Sequence, residues 1–225
     1  QTEVMKMNTA ELLHEIGTAI KGTNQATSEI RKVSAGFFQQ VKNEDLDTVL
    51  SICEDMLNQR IWQYRVIAFD WAFRLKKHYS IDTWPIFEHW LKEYVRDWGS
   101  CDDFCTHAFG ELLAQHNDLF EKVIPWTQHS DFWVRRAAAV ILIYPIRKKR
   151  AMNLDPFLIA DKLMHDEHYL VLKGYGWLLK VVSQYNEDAV FNYLMKHKDC
   201  MPRLAFRYSL EKMPRERRDI LMGKD

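Results

Sequence analysis

The sequence predicts an all-α fold, and three observations indicate it. Glycine and proline, the residues that most disfavour helix, number only 8 and 6 among 225 residues. Apolar residues recur at spacings of three and four along nearly the whole chain, which is the period of a helix with one buried face. No stretch alternates apolar and polar residues between hairpin-type turns, so strand signals are nearly absent.

The predicted helices pair into repeats. Helix pairs recur at intervals of roughly 35 to 40 residues, within the range of helical-repeat solenoids. The positions that mark this interval are Asp45, Asp82, Asp118, Asp155 and Glu187. Sequence similarity between the units is low, so the repeat is one of architecture. The predicted fold class is therefore an α-solenoid, a right-handed superhelix whose concave face suits a long ligand.

Each predicted element has its own signal, in chain order. The segment TAELLHEIGTAIKG is a short N-terminal helix, and NEDLDTVLSICEDMLN carries a single apolar stripe with acids on the opposite face. Ser100 with Asp103 three residues later fits a capping box, which predicts a helix start there. Ser130 is predicted to start the next long helix, with Ala137 to Ile143 packed inside. The predicted helical segments are 29–41, 45–57, 61–78, 83–96, 101–115, 118–128, 132–147, 155–165, 169–185, 187–197 and 202–211.

Composition restricts the function classes. With 47% apolar residues, the chain can form one large domain over residues 1–225. Basic and acidic residues number 31 each, and the pI is about 7.3, which excludes a uniformly basic nucleic-acid binder but not a locally basic groove. No run of about 18 apolar residues and no signal peptide are recognised, so a cytoplasmic protein without membrane contact is predicted.

The four cysteines do not predict a disulfide framework in a chain of this length. Cys101 and Cys105, with His107 nearby, have two interpretations. They are half of a zinc site, or they are two packed thiols. No second pair with ligand spacing follows, so packed thiols are favoured and neither a metal nor a cofactor is predicted.

Two clusters of polar and aromatic residues suggest a site. In DWGSCDDFC, the capping interpretation leaves Trp98 and Asp102 without a role. In SDFWVRRAAAVILIYPIRKKR, an arginine pair is usually a solvated face, but Arg136 precedes an apolar run and is expected to point inward, where it needs an anionic partner. In GYGWLLK, Trp177 is at a spacing that is normally core.

These residues together resemble a known family. The Trp-x-x-x-Asp pattern at Trp98 and Asp102, followed by FGELLAQHNDL, IPWTQHSDFWVRRAAAV and GYGWLLK, is similar to the HEAT-like-repeat DNA alkylation repair enzymes, the AlkD-type DNA glycosylases. The resemblance covers residues 24–212 and is clearest between 90 and 185, which leaves residues 1–23 as a short, divergent N-terminal helix.

The resemblance implies a base-excision DNA repair activity and its residues. It implies that Asp102 is the catalytic carboxylate, and that Trp98, Arg136 and Trp177 bind the substrate. It also implies excision of cationic 3-methyladenine and 7-methylguanine from double-stranded DNA without flipping of the lesion. The protein is then expected to be a monomer without a cofactor, located in the cytoplasm and associated with the nucleoid in a prokaryote.

The residue types suit that chemistry. A carboxylate at Asp102 stabilises the oxocarbenium-like sugar and orients water, while the two tryptophans pack against the deoxyribose and the cationic nucleotide. Arg136 is expected to grip a backbone phosphate. The RKKR run at 147–150 is interpreted as an exposed helix end. Further candidates for phosphate contacts are Arg60, Arg65, Arg135, Lys173, Arg203 and Arg207.

Two other functions are compatible with the sequence. Fuller family members begin with additional helices that close over the damaged strand, and no counterpart of their lesion-contacting aromatic residue is found here. The chain is therefore alternatively a weak or inactive member that binds DNA without excision. A third function is that of a protein-binding solenoid. A basic groove with Asp102 as its only carboxylate favours DNA over protein as the ligand.

Overall fold

The computed structural model describes residues 8–223, and these residues form helices and loops without a β-strand, which confirms the all-α prediction. The chain divides into two compact units, Gln1–Tyr79 and Ser80–Asp225. The assignment of residues 1–225 to one domain stays a prediction. Short 3-10 turns occupy 76–78, 117–119 and 124–128. The helices are α1 (Thr9–Lys21), α2 (Thr27–Val41), α3 (Leu46–Asn58), α4 (Trp62–Arg74), α5 (Thr83–Tyr94), α6 (Trp98–Cys105), α7 (Ala108–Gln115), α8 (Phe120–Val123), α9 (Phe132–Val140), α10 (Ile143–Arg147), α11 (Pro156–Leu163), α12 (Tyr169–Ser183), α13 (Glu187–His197), α14 (Arg203–Leu210) and α15 (Arg215–Met222).

The first unit is organised around α4, which packs against α2 and α3. Trp71 is fully buried, and its indole N–H donates to the backbone carbonyl of Ser34 at 3.0 Å. The Tyr64 hydroxyl donates to the carbonyl of Leu13 at 2.8 Å, which connects α4 to α1. Helix α1 is the predicted N-terminal helix, and residues 1–7 of the segment assigned to it lie outside the described residues.

The second unit has an aromatic core and a central helix. Helix α12 packs against α9, α11, α13 and α14. Large aromatic side chains fill the space between α5, α6 and α7, and their burial provides much of the driving force for packing. These residues are Trp84, Phe87, Trp90, Phe104, Phe109 and Trp126.

Two glycines allow α12 to approach its neighbours closely. A Cβ atom on Gly176 would lie 2.8 Å from the Tyr208 Cβ and 3.0 Å from the Ala205 carbonyl oxygen on α14. A Cβ on Gly174 would lie 3.2 Å from the Arg136 Cγ on α9. The Gly-Tyr-Gly sequence therefore sets how near α12 lies to both helices.

The start of α6 differs from the prediction. Asp97, not Ser100, is the N-cap residue, and its carboxylate accepts a hydrogen bond from the Ser100 backbone N–H at 2.7 Å. The capping box of Ser100 and Asp103 is therefore wrong, because the helix already begins at Trp98. An aspartate is as good an N-cap as a serine, and the choice between them was not visible in the sequence.

The predicted helix 101–115 is interrupted after Cys105. The Asp102 carbonyl accepts hydrogen bonds from both the backbone N–H and the hydroxyl of Thr106, at 2.9 and 2.6 Å. A hydroxyl bonded to the carbonyl four residues back competes with the helix ladder. The chain then turns at His107 and starts α7.

Other segments also depart from the prediction. The segment 132–147 breaks at 141–142, because Pro145 has no N–H for the carbonyl four residues earlier and its ring crowds that carbonyl. The segment 118–128 is a short α8 flanked by 3-10 turns. Helix α15 was not predicted.

Candidate active site

One cavity of the second unit contains the predicted site. It has a volume of about 450 Å³ and is formed by α6, α9, α12 and α14. Asp102 is the only carboxylate among the described residues that line it. The lining residues are Trp98, Asp102, Arg136, Tyr169, Leu170, Lys173, Trp177, Lys180 and Tyr208.

Helix α6 presents Trp98 and Asp102 to this cavity from one face. They are four residues apart and hence one turn apart on the same side of the helix. The opposite face, with Cys101, Phe104 and Cys105, is fully buried. Trp98 is 64% exposed, which is unusual for a side chain of its size. The fold thus buries one side of α6 and leaves the Trp98 indole exposed to solvent.

Arg136 holds the Asp102 carboxylate with two parallel hydrogen bonds. Its Nε donates to Oδ1 and its Nη2 to Oδ2, both at 3.0 Å. The remaining terminal nitrogen, Nη1, donates to the Leu170 carbonyl at 2.6 Å, so α9 also anchors the first turn of α12. Arg136 is 6% exposed, and Asp102 is the anionic partner that its inward orientation required.

Two opposing effects set the protonation of Asp102. Burial raises the pKa of this carboxyl group above its ordinary value, and the neighbouring Asp97 raises it slightly further. The charge of Arg136 and its hydrogen bonds act in the opposite direction and lower the pKa. The carboxylate is therefore partly desolvated and held in one orientation at the same time.

Helix α12 contributes a mixed basic and aromatic face. Tyr169, Lys173, Trp177 and Lys180 follow one another at helical spacing and line the same cavity. The Lys173 ammonium lies 5.4 Å from the centroid of the Tyr169 ring. Lys180 is 2.6 Å from a Glu211 carboxylate oxygen, and its ammonium also lies over a tyrosine ring of α14.

The sequence matches the DNA alkylation repair enzyme family over residues 20–213. The chain belongs to that family. A solved structure with a similar fold is described as a predicted DNA alkylation repair enzyme from Enterococcus faecalis, at a TM-score of 0.72 and 18% identity, with 84% of this chain and 87% of that chain covered. No curated protein matches the chain significantly.

Membership of the DNA alkylation repair enzyme family confirms the resemblance seen in the sequence and assigns a role in DNA repair, with DNA as the substrate. The helical-repeat fold agrees with the structural likeness. Within residues 8–223, no helix combines the length and the apolar character needed to cross a bilayer.

Not every predicted DNA contact of this family member lies at the cavity. Arg135 instead pairs with Asp166 at 2.7 Å and donates to the backbone carbonyls of His129 and Ser130. Arg203 and Arg207 are exposed on α14, where Arg207 lines a second cavity. Arg60 and Arg65 belong to the first unit, Arg60 at a left-handed backbone position (φ 57°) after α3 and Arg65 on α4.

The RKKR run is exposed at the end of α10, as predicted. Its first and last arginines have defined contacts. The Arg147 guanidinium lies 5.7 Å from the centroid of the Trp177 ring. Arg150 is 3.1 Å from a carboxylate oxygen of the buried Glu111. The arginines at the two ends of this run therefore contact other residues of the protein.

The cysteines of α6 are packed thiols, in agreement with the favoured interpretation. Cys101 and Cys105 are free and fully buried, and burial raises the pKa of the Cys105 thiol. No group of three or more histidine, cysteine or acidic side chains is arranged to bind a metal within the described part of the chain.

Four residues of the cavity were not predicted from the sequence: Tyr169, Leu170, Lys180 and Tyr208. Tyr169 and Lys180 had a signal, because they share the helical face of Lys173 and Trp177. Leu170 contributes a backbone carbonyl, which no residue type reveals. Tyr208 reaches the cavity through the packing of α14 on α12.

Proposed function

We propose that the protein is a DNA glycosylase that excises positively charged N3- or N7-alkylated purines from double-stranded DNA. The observation that carries the proposal is the fixed Asp102 carboxylate in a cavity that Trp98 and Trp177 also line. Family membership supports DNA as the ligand. We propose further that it acts as a monomer in the cytoplasm, on nucleoid DNA in a prokaryote.

The proposed reaction needs little acid catalysis by the protein. An N3- or N7-alkylated purine is a cation, and when its glycosidic bond breaks it leaves with the bonding electron pair as a neutral base. The sugar then carries the positive charge, and water adds to its anomeric carbon with loss of a proton. A carboxylate close to that carbon stabilises the charge and orients the water, which is the role proposed for Asp102.

Arg136 is proposed as the positioning residue for that carboxylate. The sequence predicts that this arginine binds a phosphate, but three of its N–H groups are directed to Asp102 and Leu170. The contacts with Arg136 leave acceptor capacity on the Asp102 carboxylate for water or for the sugar. The phosphate contacts are assigned instead to Lys173 and Lys180 at the same cavity.

The lining of the cavity favours DNA over a peptide as the ligand. The cavity is lined by two lysines, one arginine and a single carboxylate, together with aromatic rings of which Trp98 and Tyr169 are exposed, and Lys180 also pairs with Glu211. Trp98 and Trp177 offer faces to the deoxyribose and to a cationic base, a contact worth about 0.5 to 2 kcal/mol each. A phosphate backbone complements this charge.

The decisive experiment measures release of 3-methyladenine and 7-methylguanine from methylated duplex DNA, with spontaneous loss subtracted. We expect release by the unmutated protein to fall to background in Asp102→Asn, while its affinity for duplex DNA is retained. Asp103→Asn is the matched control, because Asp103 is the adjacent carboxylate of α6 but does not line the cavity.

Two results would contradict the proposal. Equal loss of release in Asp103→Asn and Asp102→Asn would remove the assigned role of Asp102. If the unmutated protein binds duplex DNA and releases no more base than buffer does, the chain is a family member that binds DNA without excision.

A further inference from the structure

The last two helices of the chain carry an excess of positive charge. Residues 203–222, which span α14 and α15, contain twice as many basic as acidic side chains, although the whole chain is neutral. Helix α15 also lies beyond residues 20–213, the part of the chain that matches the family. Its charge is therefore a feature of this chain that family membership does not account for.

Three arginines of these helices surround one cavity. The cavity has a volume of about 370 Å³, and its lining residues are Arg207, Leu210, Arg215, Arg218, Asp219 and Met222. Asp219 is its only acid, and it lies 3.6 Å from Arg215, whose side chain is 88% exposed. Within residues 8–223, the guanidinium groups of Arg207 and Arg218 have no hydrogen-bond or ion-pair partner.

Other contacts fix α15 in place and leave these arginines available. Arg217 points to α13, where it pairs with Glu187 at 3.0 Å and Asp188 at 2.5 Å. Arg203 donates to the sulfur of Met222 at 3.5 Å, which joins the start of α14 to the end of α15. These contacts fix the positions of α14 and α15, the two helices that form the cavity.

The two cavities share α14. Tyr208 of this helix lines the cavity around Asp102, and its neighbour Arg207 lines the arginine cavity. An extended polyanion bound at the first cavity would have a second concentration of positive charge on the same helix. DNA has such a shape, with a charged phosphate at each nucleotide step.

We propose that Arg207, Arg215 and Arg218 form a binding site for backbone phosphates of duplex DNA, separate from the cavity around Asp102. The planar guanidinium group bonds phosphate oxygens in pairs, and binding releases condensed counterions from DNA. The site extends the DNA contact beyond the damaged nucleotide. It rests on the part of the proposed function that names DNA as the ligand, and not on excision.

The experiment compares the full chain with Arg207→Gln/Arg218→Gln. Affinity for an undamaged, fluorescently labelled duplex is measured by anisotropy over a range of salt concentrations. The plot of log affinity against log salt concentration has a negative slope, and each lost phosphate contact reduces its magnitude by about 1. We therefore expect the magnitude of the slope to fall by about 2. Arg207→Lys/Arg218→Lys keeps both charges and is expected to keep the slope.

Lys162→Gln/Lys196→Gln is the matched control, because it removes the same charge from exposed positions of α11 and α13 that line neither cavity. We expect it to bind as the unmutated protein does. An equal fall of the slope in the control, or no fall in the arginine variant, would overturn the proposal.

A measurement of excision distinguishes failure of this inference from failure of the proposed function. At saturating protein, single-turnover release of alkylated base is expected to be unchanged in Arg207→Gln/Arg218→Gln, because neither residue lines the cavity around Asp102. A reduced rate under saturation would place the arginines in the reaction and overturn the separation of the two sites. If the unmutated protein releases no base, the slope measured on undamaged DNA still decides the inference.

Discussion

At the scale of single residues, the pairing of Asp102 with Arg136 balances two needs. A carboxylate that stabilises a sugar cation is strongest in a site that excludes water, yet burial favours its protonated form. Arg136 opposes that protonation and holds both oxygens, and it is itself buried. Arg136 therefore counteracts part of the rise in the pKa of Asp102 that burial causes.

We expect Arg136→Gln to move the acid limb of the excision rate to higher pH. In the proposed mechanism Asp102 acts as a carboxylate, so the excision rate is expected to fall as the pH drops through the pKa of this group. Arg136 lowers that pKa, and its removal lets burial raise the pKa further. The maximal rate should also fall, by about 10²-fold, because the carboxylate loses its fixed orientation.

The measurement is single-turnover release of 7-methylguanine against pH, with spontaneous loss subtracted at each pH. Arg135→Gln is the control, since Arg135 pairs with Asp166 and not with Asp102. The control should keep the acid limb of the unmutated protein. An unmoved limb in Arg136→Gln would show that this arginine does not set the pKa of the essential group.

A second buried carboxylate depends on its hydrogen bonds in a different way. Burial raises the pKa of Glu111, but hydrogen bonds from Gln115, Tyr144 and Arg150 outweigh burial, and the pKa is lowered overall. Its ionised form therefore stabilises the fold above the pKa of the unfolded chain, and this stabilisation is lost as the pH falls through the folded-state value.

We expect Arg150→Met to lower the free energy of unfolding by about 1 to 2 kcal/mol near neutral pH, a modest value because the arginine is 42% exposed and solvent screens the pair. The loss should shrink as Glu111 becomes protonated in acid. Urea unfolding at several pH values measures it, with exposed Lys122→Met as the control. A loss that is constant with pH would exclude Glu111 as the partner that matters.

Most residues that line the site could be predicted from the sequence, and the contacts that could not be predicted have physical causes. Trp98, Asp102, Arg136, Lys173 and Trp177 were predicted from motifs and resemblance, and they line one cavity. The partner of Arg136 was predicted only as an anion, because pairing across 34 positions depends on how α6 and α9 pack. That Arg135 turns to Asp166 could not be read from two adjacent arginines.

At the scale of elements, helix existence was predictable and helix endings were not. Apolar spacing revealed most of the helices, because it reflects the buried face that every packed helix needs. The break after Cys105 depends on a threonine hydroxyl, and the helix α15 has many charged residues and a weak apolar stripe. The spacing of apolar residues predicts neither the break after Cys105 nor the helix α15.

The close approach of α12 to its neighbours predicts different results for three glycine-to-alanine changes. Gly36, in α2, has open space where a Cβ would lie, so Gly36→Ala should stabilise by about 0.5 to 1 kcal/mol through helix propensity. Gly176→Ala meets α14 backbone at 3.0 Å and should destabilise by about 1 to 3 kcal/mol.

Gly174→Ala should act mainly on the site, because the neighbour that must move is the Arg136 side chain. We expect a small change in thermal stability and a reduced excision rate. Thermal unfolding and single-turnover excision of the three variants decide this. If Gly176→Ala were as stable as Gly36→Ala, the close contact between α12 and α14 would be refuted.

At the scale of the whole molecule, charge is balanced within each compact unit. Residues 1–79 and residues 80–225 each contain as many acidic as basic side chains. Affinity for DNA must therefore come from local segregation of charge, as around the two cavities of the second unit. Net charge alone gave no indication of a DNA ligand.

The packing of the whole chain predicts its thiol chemistry. Cys53, Cys101 and Cys105 are fully buried, and Cys200 is exposed. A disulfide reagent should therefore react quickly with one thiol in the native protein and with all four after denaturation, because the buried thiols react only when the structure opens. Rapid reaction of a second thiol would show that the core around α6 or α3 is not closed.

The cavity around Asp102 is built by helices that are far apart along the chain, from α6 to α14. During synthesis on the ribosome, Trp98 and Asp102 emerge long before Lys180 and Tyr208 do. A nascent or prematurely terminated chain that lacks α12 and α14 has no complete site, whatever the state of α6. The cavity around Asp102 therefore becomes complete only after α14 has been synthesised.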